Sequence, residues 1–433
     1  MEIRDPVHGS IKIQDEEARI LEHPFFQRLR NIKQLGFSEF VFPGATHTRY
    51  LHSIGVMEVV TRVFDQVFND RPQNTDWQRL RETVRLACLL HDIGHAPLSH
   101  TTEFVMPKVE ELKLPKPFAP KESRQASHED YTIKSIVDSS FTDSFKDVIR
   151  RFGVDPFQIA ALIIGEHSDS EYFSIDGINY FPLLHQLVSS EMDCDRMDYL
   201  LRDSYFCGVS YGKFDLDWII DNLREAVVDK QAYLGISERA ISTFDDFLLC
   251  RFHMFLMVYF HYKAVCLEKM LGRYFSTSNS EYLIPANIEE YLEHDDHFLM
   301  KTLRGSQNEW ANKVIRNNIP PKIFETFGAE QLKTLGQIES YLKSNKIDYI
   351  KCSSSGRLSK YYMQGQEGAN KYPIKVVREQ PILKGRNFIQ NITEATDLFE
   401  KFSKAHSVNR IHCEFDKLSE SSKKDIRELA NSL

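Results

Sequence analysis

Leu89-Leu90-His91-Asp92-Ile93-Gly94-His95 ends an apolar run with a histidine beside an aspartate and a second histidine one helical turn on. An imidazole nitrogen and a carboxylate oxygen presented side by side can serve one divalent metal. Taken alone, such a pair also fits a satisfied core histidine. The rest of the chain supplies further ligands in suitable contexts: His52 in Arg49-Tyr50-Leu51-His52-Ser53, and Asp195 in Asp193-Cys194-Asp195-Arg196-Met197-Asp198-Tyr199. Arg49 and His52 are three apart, and His91 and His95 four apart, so each pair shares a face if helical. Asp195, Asp198, Tyr199, Arg202 and Asp203 form one continuous helical stripe with three carboxylates. The stripe is flanked by Leu187, Val188, Leu200, Leu201 and Phe206. A polar stripe among apolar flanks reads as a buried cluster, which must be paired or metal-bound to be tolerated.

The remaining composition is that of a globular protein. The chain has 433 residues, 42% hydrophobic and 27% charged, a length that predicts about two to three domains. Met1-Glu2-Ile3-Arg4-Asp5-Pro6 has no apolar core of a signal peptide. The longest apolar stretch, Phe247 to Tyr262, is interrupted by Arg251, His253 and His261 and is too short to span a bilayer. The seven cysteines include no CxxC pair, which points to reduced thiols and a cytoplasmic protein. A net charge of −8 argues against a dedicated nucleic-acid binder. Basic clusters at Arg28 to Lys33 and Lys108 to Arg124 keep local binding of anions, nucleic acid included, open.

Helical spacing of apolar residues runs through Ile54–Val67, Val84–Leu90, Phe157–Ile164 and Phe247–Leu271. Asn69 to Asp76 is a loop, and so is Pro107 to Gln125, rich in proline and lysine. The latter is either a disordered surface insertion or a lid that closes over phosphate. Beyond residue 275 the pattern changes. A helix is predicted over Glu309 to Asn318, ended by Pro320-Pro321. Short β-like runs follow at Asp348–Cys352, Ile374–Val377 and Arg410–Phe415, with a helical segment at Thr393–Ala405. The expected architecture is mainly α: a helical core over 1–275 and a smaller C-terminal helical and α+β region over 276–433. No P-loop and no dinucleotide-binding GxGxxG occurs.

These strings carry a family resemblance. Arg4–Gly9, Phe26–Gly36, Val41–Val56, His91–His100, Asp195–Asp203 and Arg251–His261 stand in the order found in HD-domain proteins. The chain resembles the HD superfamily of metal-dependent phosphohydrolases, and within it the deoxynucleoside triphosphate triphosphohydrolase branch. The resemblance implies an HD helical core and one divalent metal held by His52, His91, Asp92 and Asp195. Two imidazoles and two carboxylates suit Mn, Fe, Ni or Zn, and Mg also fits. It further implies a catalytic group of His95, His100 and His128. The family's carboxylate three residues past the second of these is an Asp, here Glu103. His100 with Glu103 would be the general acid, or else a surface pair.

For substrate binding the resemblance implies Arg49 and Arg251 on phosphate, with Arg196 where the pattern often has Lys. Tyr199 would lie by the sugar, Asp203 by the 3′-hydroxyl, and Tyr259 and His261 near sugar and base. Packing in an amphipathic helix is the alternative for Arg251 and Tyr259. Tyr262 replaces a family Lys, removing one cation. Gln27 and Arg30, with Glu22 in place of Asp, match part of a nucleotide-activator site; Arg4 and Ser10 depart from it, and Phe26–Arg30 can equally be a packing element. The branch also assembles into homo-oligomers. The expected reaction is hydrolysis of a deoxynucleoside triphosphate to deoxynucleoside and triphosphate. The alternatives are a phosphohydrolase or phosphodiesterase acting on another nucleotide (a monophosphate, alarmone or cyclic nucleotide) and a non-catalytic nucleotide or nucleic-acid binder.

Overall fold

Apolar residues at helical spacing build the rods that hold the site. The computed structural model describes residues 1–277, 281–328, 331–356, 372–378, 388–396, 398 and 406–431, with the side chain of His100 left out. The principal helices are α1 (Arg49–Val67), α2 (Thr75–Leu90), α3 (His128–Val137), α4 (Pro156–Ile164), α5 (Phe181–Val188), α6 (Cys194–Cys207), α7 (Ile241–Met254) and α8 (Tyr262–Thr277). Their ends follow local chemistry. Asn74 caps α2 by accepting from the Trp77 amide at 3.1 Å, and Asp193 caps α6 through the Arg196 amide at 2.8 Å. α4 begins on Asp155 and Pro156 and stops at Gly165, and α6 stops at Gly208, both glycines in the left-handed region.

α1 is the central rod. Val56, Met57, Val59, Val60 and Val63 are buried, and the helix packs against both α2 and α6. A helix apolar on most sides belongs inside a domain. The last turn of α2, Leu86 to Leu90, is also buried. Truncating Leu89 or Leu90 to Ala would remove roughly 2–5 kcal/mol by the usual core cost. The polar groups of the site are therefore mounted on elements that cannot shift without opening the core.

Strands form smaller units. β1 (Glu2–Asp5) and β2 (Gly9–Lys12) make an antiparallel hairpin. β3 (Leu223–Val228) pairs antiparallel with β4 (Gln231–Ser237) in register Ala226 with Tyr233. In the C-terminal region, β5 (Lys322–Phe327) and β6 (Ile350–Gly356) flank a central β9 (His406–His412) in a 3-stranded antiparallel sheet, while β7 (Lys375–Arg378) and β8 (Phe388–Asn391) pair with each other. β7 also runs parallel to β4, Ile236 opposite Val376. The helical region and the C-terminal region thus share one sheet, and Ile374, Val376 and Ile392 join the main core. A second small core of Leu335, Ile338, Leu342, Ile411 and Ile426 lies under the helices Leu332–Ser344 and Glu420–Asn431.

The mainly α reading matches this architecture, and strands occur at or beside each predicted β-like run. In the predicted helix Thr393–Ala405, residues 397 and 399–405 lie outside the described ones. Pro107 to Gln125 is not a disordered insertion. Its base is closed by Ala126 N to Pro107 O and Val109 N to Arg124 O, both 3.0 Å. Val109, Leu112, Leu114 and Phe118 are buried beneath it, while its lysines face outward. Among the described residues no helix is long and apolar enough to cross a membrane.

Candidate active site

α1, the end of α2 and the start of α6 converge on four side chains. His52 Nε2 stands 3.0 Å from Asp195 Oδ1 and 3.5 Å from Asp92 Oδ2. His91 Nε2 lies 3.4 Å from Asp92 Oδ1 and 3.7 Å from Asp195 Oδ1. The outer nitrogen of each ring is committed elsewhere. His91 Nδ1 donates to the Cys88 carbonyl at 2.7 Å, and His52 Nδ1 meets Asp198 Oδ2 at 2.8 Å. A carbonyl only accepts, so His91 carries its proton on Nδ1 and turns the Nε2 lone pair inward. Both Nε2 atoms are buried and find no aligned hydrogen bond. His52, His91 and Asp195 bring donor atoms within 4.8 Å of one another, with Asp92, paired to Arg49, beside them; such a mixed N/O set could hold a divalent metal.

Electrostatics reflect the crowding. Burial opposes a proton on His52, but Asp195 and Asp198 outweigh it and lift its pKa to about 9. For His91, burial is likewise overcome by Asp92 and Asp195, again to about 9. Burial disfavours the Asp92 charge too, yet Arg49, His91 and His95 hold this carboxyl well below the usual range. Without a cation, these carboxylates would share protons with the two rings.

Behind this cluster lies a second layer whose side chains are almost fully buried. Asp198 accepts from Arg202 Nε at 2.8 Å and Nη2 at 2.9 Å, and His8 Nε2 stands 2.7 Å away. Arg202 Nη1 reaches Asp5 Oδ2 at 2.7 Å, and Asp5 Oδ1 caps the amides of Val7 and His8. A β-carbon on Gly55 would collide with Asp198 and Arg202. Glycine there is what lets α6 press its charged stripe against α1.

A histidine pair forms the next wall. The His95 and His128 rings stack at 4.1 Å with 10° between planes, and His128 Nδ1 meets Glu103 Oε1 at 2.5 Å. Gly94 permits this, because a β-carbon there would overlap the His128 carbonyl and the Thr132 amide. Among the described side chains, Glu103 meets His128; the expected His100–Glu103 pairing falls on a side chain outside the described ones. Close packing of α3 on Gly94 brings in a carboxylate partner that spacing along the chain does not reveal. His100 shares the 3₁₀ turn Ser99–Val105 with Glu103, but its side chain lies outside the description. His95 is pushed well below the ordinary histidine range, by burial first and then by Arg49 and His128.

The turn before Ser99 is strained. Leu98 and Ser99 both have positive φ, 55° and 59°. Their surroundings impose it: Leu98 N donates to Asp296 Oδ1 at 2.7 Å, and Ser99 Oγ accepts from Arg49 Nε at 2.9 Å. Non-glycine residues in this region persist only where neighbours over-determine them.

These groups line a pocket of about 490 Å³, a size typical of small-molecule sites. Arg49, Asp92, His95, His128, Arg196, Tyr199, Asp203 and Tyr259 face it. Arg49 is ion-paired with Asp92, and Arg196 with Asp193. Tyr259 donates to Asp203 Oδ2 at 2.8 Å, and His47 Nε2 stands 2.7 Å from Asp203 Oδ1. Tyr259 ends a π-helical turn, Phe255–Tyr259, a local widening of the helix that re-aims side chains. Arg251 and His261 are not among the lining residues. Arg251 pairs with Glu191 at 3.0 Å, and His261 packs edge-on to Phe42.

The N-terminal motif has a visible structural task. Buried Arg28 donates to the His95 carbonyl at 2.9 Å and lies 4.2 Å over the Tyr291 ring. Arg30 donates to Gln27 at 2.7 Å and covers Tyr50, while Glu22 is exposed at the end of the helix Ala18–Glu22. Sequence reasoning missed His8, His47, Gln34 and Glu268. The last two line the pocket, and burial lifts the Glu268 carboxyl to about 7. His8 and His47 sit within the motif strings, which is the available signal.

A model of the HD domain matches residues 49–203, the span from Arg49 to Asp203. An uncharacterized protein of Mycoplasma pneumoniae is 30% identical over 363 residues, covering 80% of this chain and 77% of that protein. The deoxynucleoside triphosphate triphosphohydrolase SAMHD1 homolog of Dictyostelium discoideum is 28% identical over 326 residues, 73% of this chain and 57% of its own length. The crystal structure of a hypothetical protein from Aquifex aeolicus superposes with a TM-score of 0.72 at 26% identity, covering 98% of this chain and 99% of that one.

Proposed function

The chain belongs to the HD-domain family, and from that premise we propose that it hydrolyses deoxynucleoside triphosphates to deoxynucleoside and inorganic triphosphate. The observation that carries the reading is the pair of buried, unbonded Nε2 atoms of His52 and His91 facing Asp92 and Asp195, beside a pocket with two arginines. His52, His91 and Asp195, with Asp92 beside them, would hold one divalent ion, which when bound would polarise a phosphoryl oxygen and acidify a water.

The chain's own groups do the rest. Arg49 and Arg196 receive the phosphates, Arg49 with its fork already oriented by Asp92 and Ser99. Tyr199 and Tyr259 border the sugar, and Asp203, fixed by Tyr259 and His47, accepts the 3′-hydroxyl. Water attacks the α-phosphorus, the bond to the 5′ oxygen breaks, and its electron pair stays on that oxygen. With Nδ1 held by Glu103, the His128 ring exchanges protons through Nε2 and protonates the leaving oxygen, and Glu103 stabilises the charged ring. His95, kept neutral by burial, orients the neighbouring phosphate. Nucleotide activation through Gln27, Arg30 and Glu22, and assembly into homo-oligomers, are compatible extensions.

The test is product analysis. The purified protein is incubated with each deoxynucleoside triphosphate and Mn²⁺ or Mg²⁺, with and without GTP, and products are separated by ion exchange. Deoxynucleoside plus triphosphate is the expected result. Turnover of monophosphates or signalling nucleotides alone, with no triphosphate released, would replace this substrate assignment.

A further inference from the structure

On the side of α8 facing the C-terminal sheet, three soft ligands meet. Cys266 of α8, Cys352 of β6 and His412 of β9 place their sulfurs and a ring nitrogen within 4.8 Å of one another. All three side chains are buried, each at 0% exposure. His412 Nδ1 lies 2.9 Å from the Pro320 carbonyl. The carbonyl accepts, so the proton sits on Nδ1 and the lone pair on Nε2. That Nε2 is buried and has no hydrogen-bond partner. The tautomer is thus set as it is for a metal-ligating histidine whose other nitrogen is anchored to the backbone.

The two sulfurs lie against one another, with His412 Nε2 left without a hydrogen-bond partner in the same buried place. The Tyr262 ring lies roughly parallel to His412 at 6.1 Å, and Lys322 Nζ stands 4.7 Å from the centre of that tyrosine ring. Nothing in this cluster belongs to the nucleotide pocket, whose donors are imidazoles and carboxylates.

We propose that Cys266, Cys352 and His412 bind one thiophilic d¹⁰ metal ion, Zn²⁺ or Cu⁺, which clasps β6 and β9 to α8. Thiolate and imidazole donors select such ions, whereas carboxylate-rich sites take harder ones. Binding replaces two S–H bonds by two metal–sulfur bonds and releases two protons. With Zn²⁺ the pair of thiolates and the ion are together neutral, a charge state suited to a buried place. The clasp joins elements far apart in the chain, so its loss would loosen the C-terminal sheet first.

Cobalt reports on this site separately from the active site, because sulfur-to-cobalt charge transfer absorbs in the near ultraviolet and histidine–carboxylate sites give no such band. The full-length protein is reduced, stripped with chelator and titrated with Co²⁺. The expected result is a thiolate band saturating at one equivalent, retained in Asp92→Ala and lost in Cys266→Ser and Cys352→Ser. Zn²⁺ or Cu⁺ should bleach it at one equivalent, the ion acting at the lower free concentration being the native one. No thiolate band in the wild-type protein overturns the proposal without reference to any variant. An intact mass two hydrogens lighter in protein isolated without reductant, with no metal bound, overturns it in favour of a Cys266–Cys352 disulfide. Bands that survive both serine substitutions overturn it as well.

Discussion

Replacing Asp198 by Asn tests whether the layer behind the metal cluster sets the chemistry of His52. The change keeps shape and removes charge. Asp198 now takes donors on both oxygens: Arg202 Nη2 and His8 on Oδ1, Arg202 Nε and His52 Nδ1 on Oδ2. An amide has one accepting oxygen, so one position must present N–H to groups that are themselves donors. If it faces His52, the ring keeps its hydrogen bond only by moving its proton to Nε2, the atom that faces Asp92 and Asp195. The lone pair needed for metal is then lost. Outer partners of ligating histidines are worth about 10–100-fold in affinity, or roughly 1.4–2.7 kcal/mol at about 1.36 kcal/mol per decade. Among the described residues, Arg202 then keeps Asp5 as its full counter-charge. Breaking a buried pair costs about 3–5 kcal/mol, an upper limit here because Asp5 stays. The assay is competition with a chromophoric chelator for Mn²⁺ or Zn²⁺, alongside urea denaturation. An Asp198→Asn protein with wild-type affinity and an unchanged urea midpoint would refute the argument.

Three further outcomes follow from the same geometry. Asp92→Ala, or His91→Ala, should abolish both stoichiometric metal at this cluster and hydrolysis; full turnover in a metal-free Asp92→Ala protein would remove the site assignment. Glu103→Gln should lower kcat by roughly 10²-fold with KM nearly kept, since it unsettles the His128 ring and not substrate contacts; an unchanged kcat and pH profile would assign the proton transfer elsewhere. Metal-free protein should lose melting temperature as pH rises. His52 and His91 are raised from 6.5 to about 9, so their contribution is complete below pH 6.5 and disappears through about pH 9; metal-loaded protein, whose rings bind as neutral ligands, should show a flatter curve.

The candidate metal cluster was legible because metal chemistry constrains residue type and helical geometry constrains spacing. His91 and Asp92 are adjacent, and the Asp195–Asp203 stripe is a buried, paired cluster at Asp198, Arg202 and Asp203, while Asp195 and Tyr199 are half-buried. What could not be read was pairing across the fold. Glu103 bonds to His128, 25 residues on in the chain, because Gly94 lets α3 close on the turn. His8 and Asp5 reach Asp198 and Arg202 only through the N-terminal hairpin, and His47 reaches Asp203 from a loop. The loop 107–125 was obscured by its prolines and lysines, although Val109, Leu112, Leu114 and Phe118 were the apolar signal of a packed segment. The shared sheet was hidden for a different reason. The parallel pairing of β4 with β7 joins residues far apart in the chain, and parallel partners carry no local turn signature.

The two glycines connect these levels. Gly55 and Gly94 have ordinary helical or turn surroundings and no need of a positive φ, so nothing in local propensity asks for glycine. Each instead stands where a charged pair or the backbone of the His128 helix presses close. In α1 a glycine is unfavourable by roughly 1 kcal/mol relative to alanine. Retaining it is intelligible only if the approach of Asp198 and Arg202 is worth more than that, and removing one member of such a buried pair costs several times as much. The site is therefore built by close contact of backbones, with the buried Nε2 atoms of His52 and His91 turned toward Asp92 and Asp195 as the result. A glycine inside a strong helical pattern, one turn after a histidine, is the feature of the sequence that reports that contact.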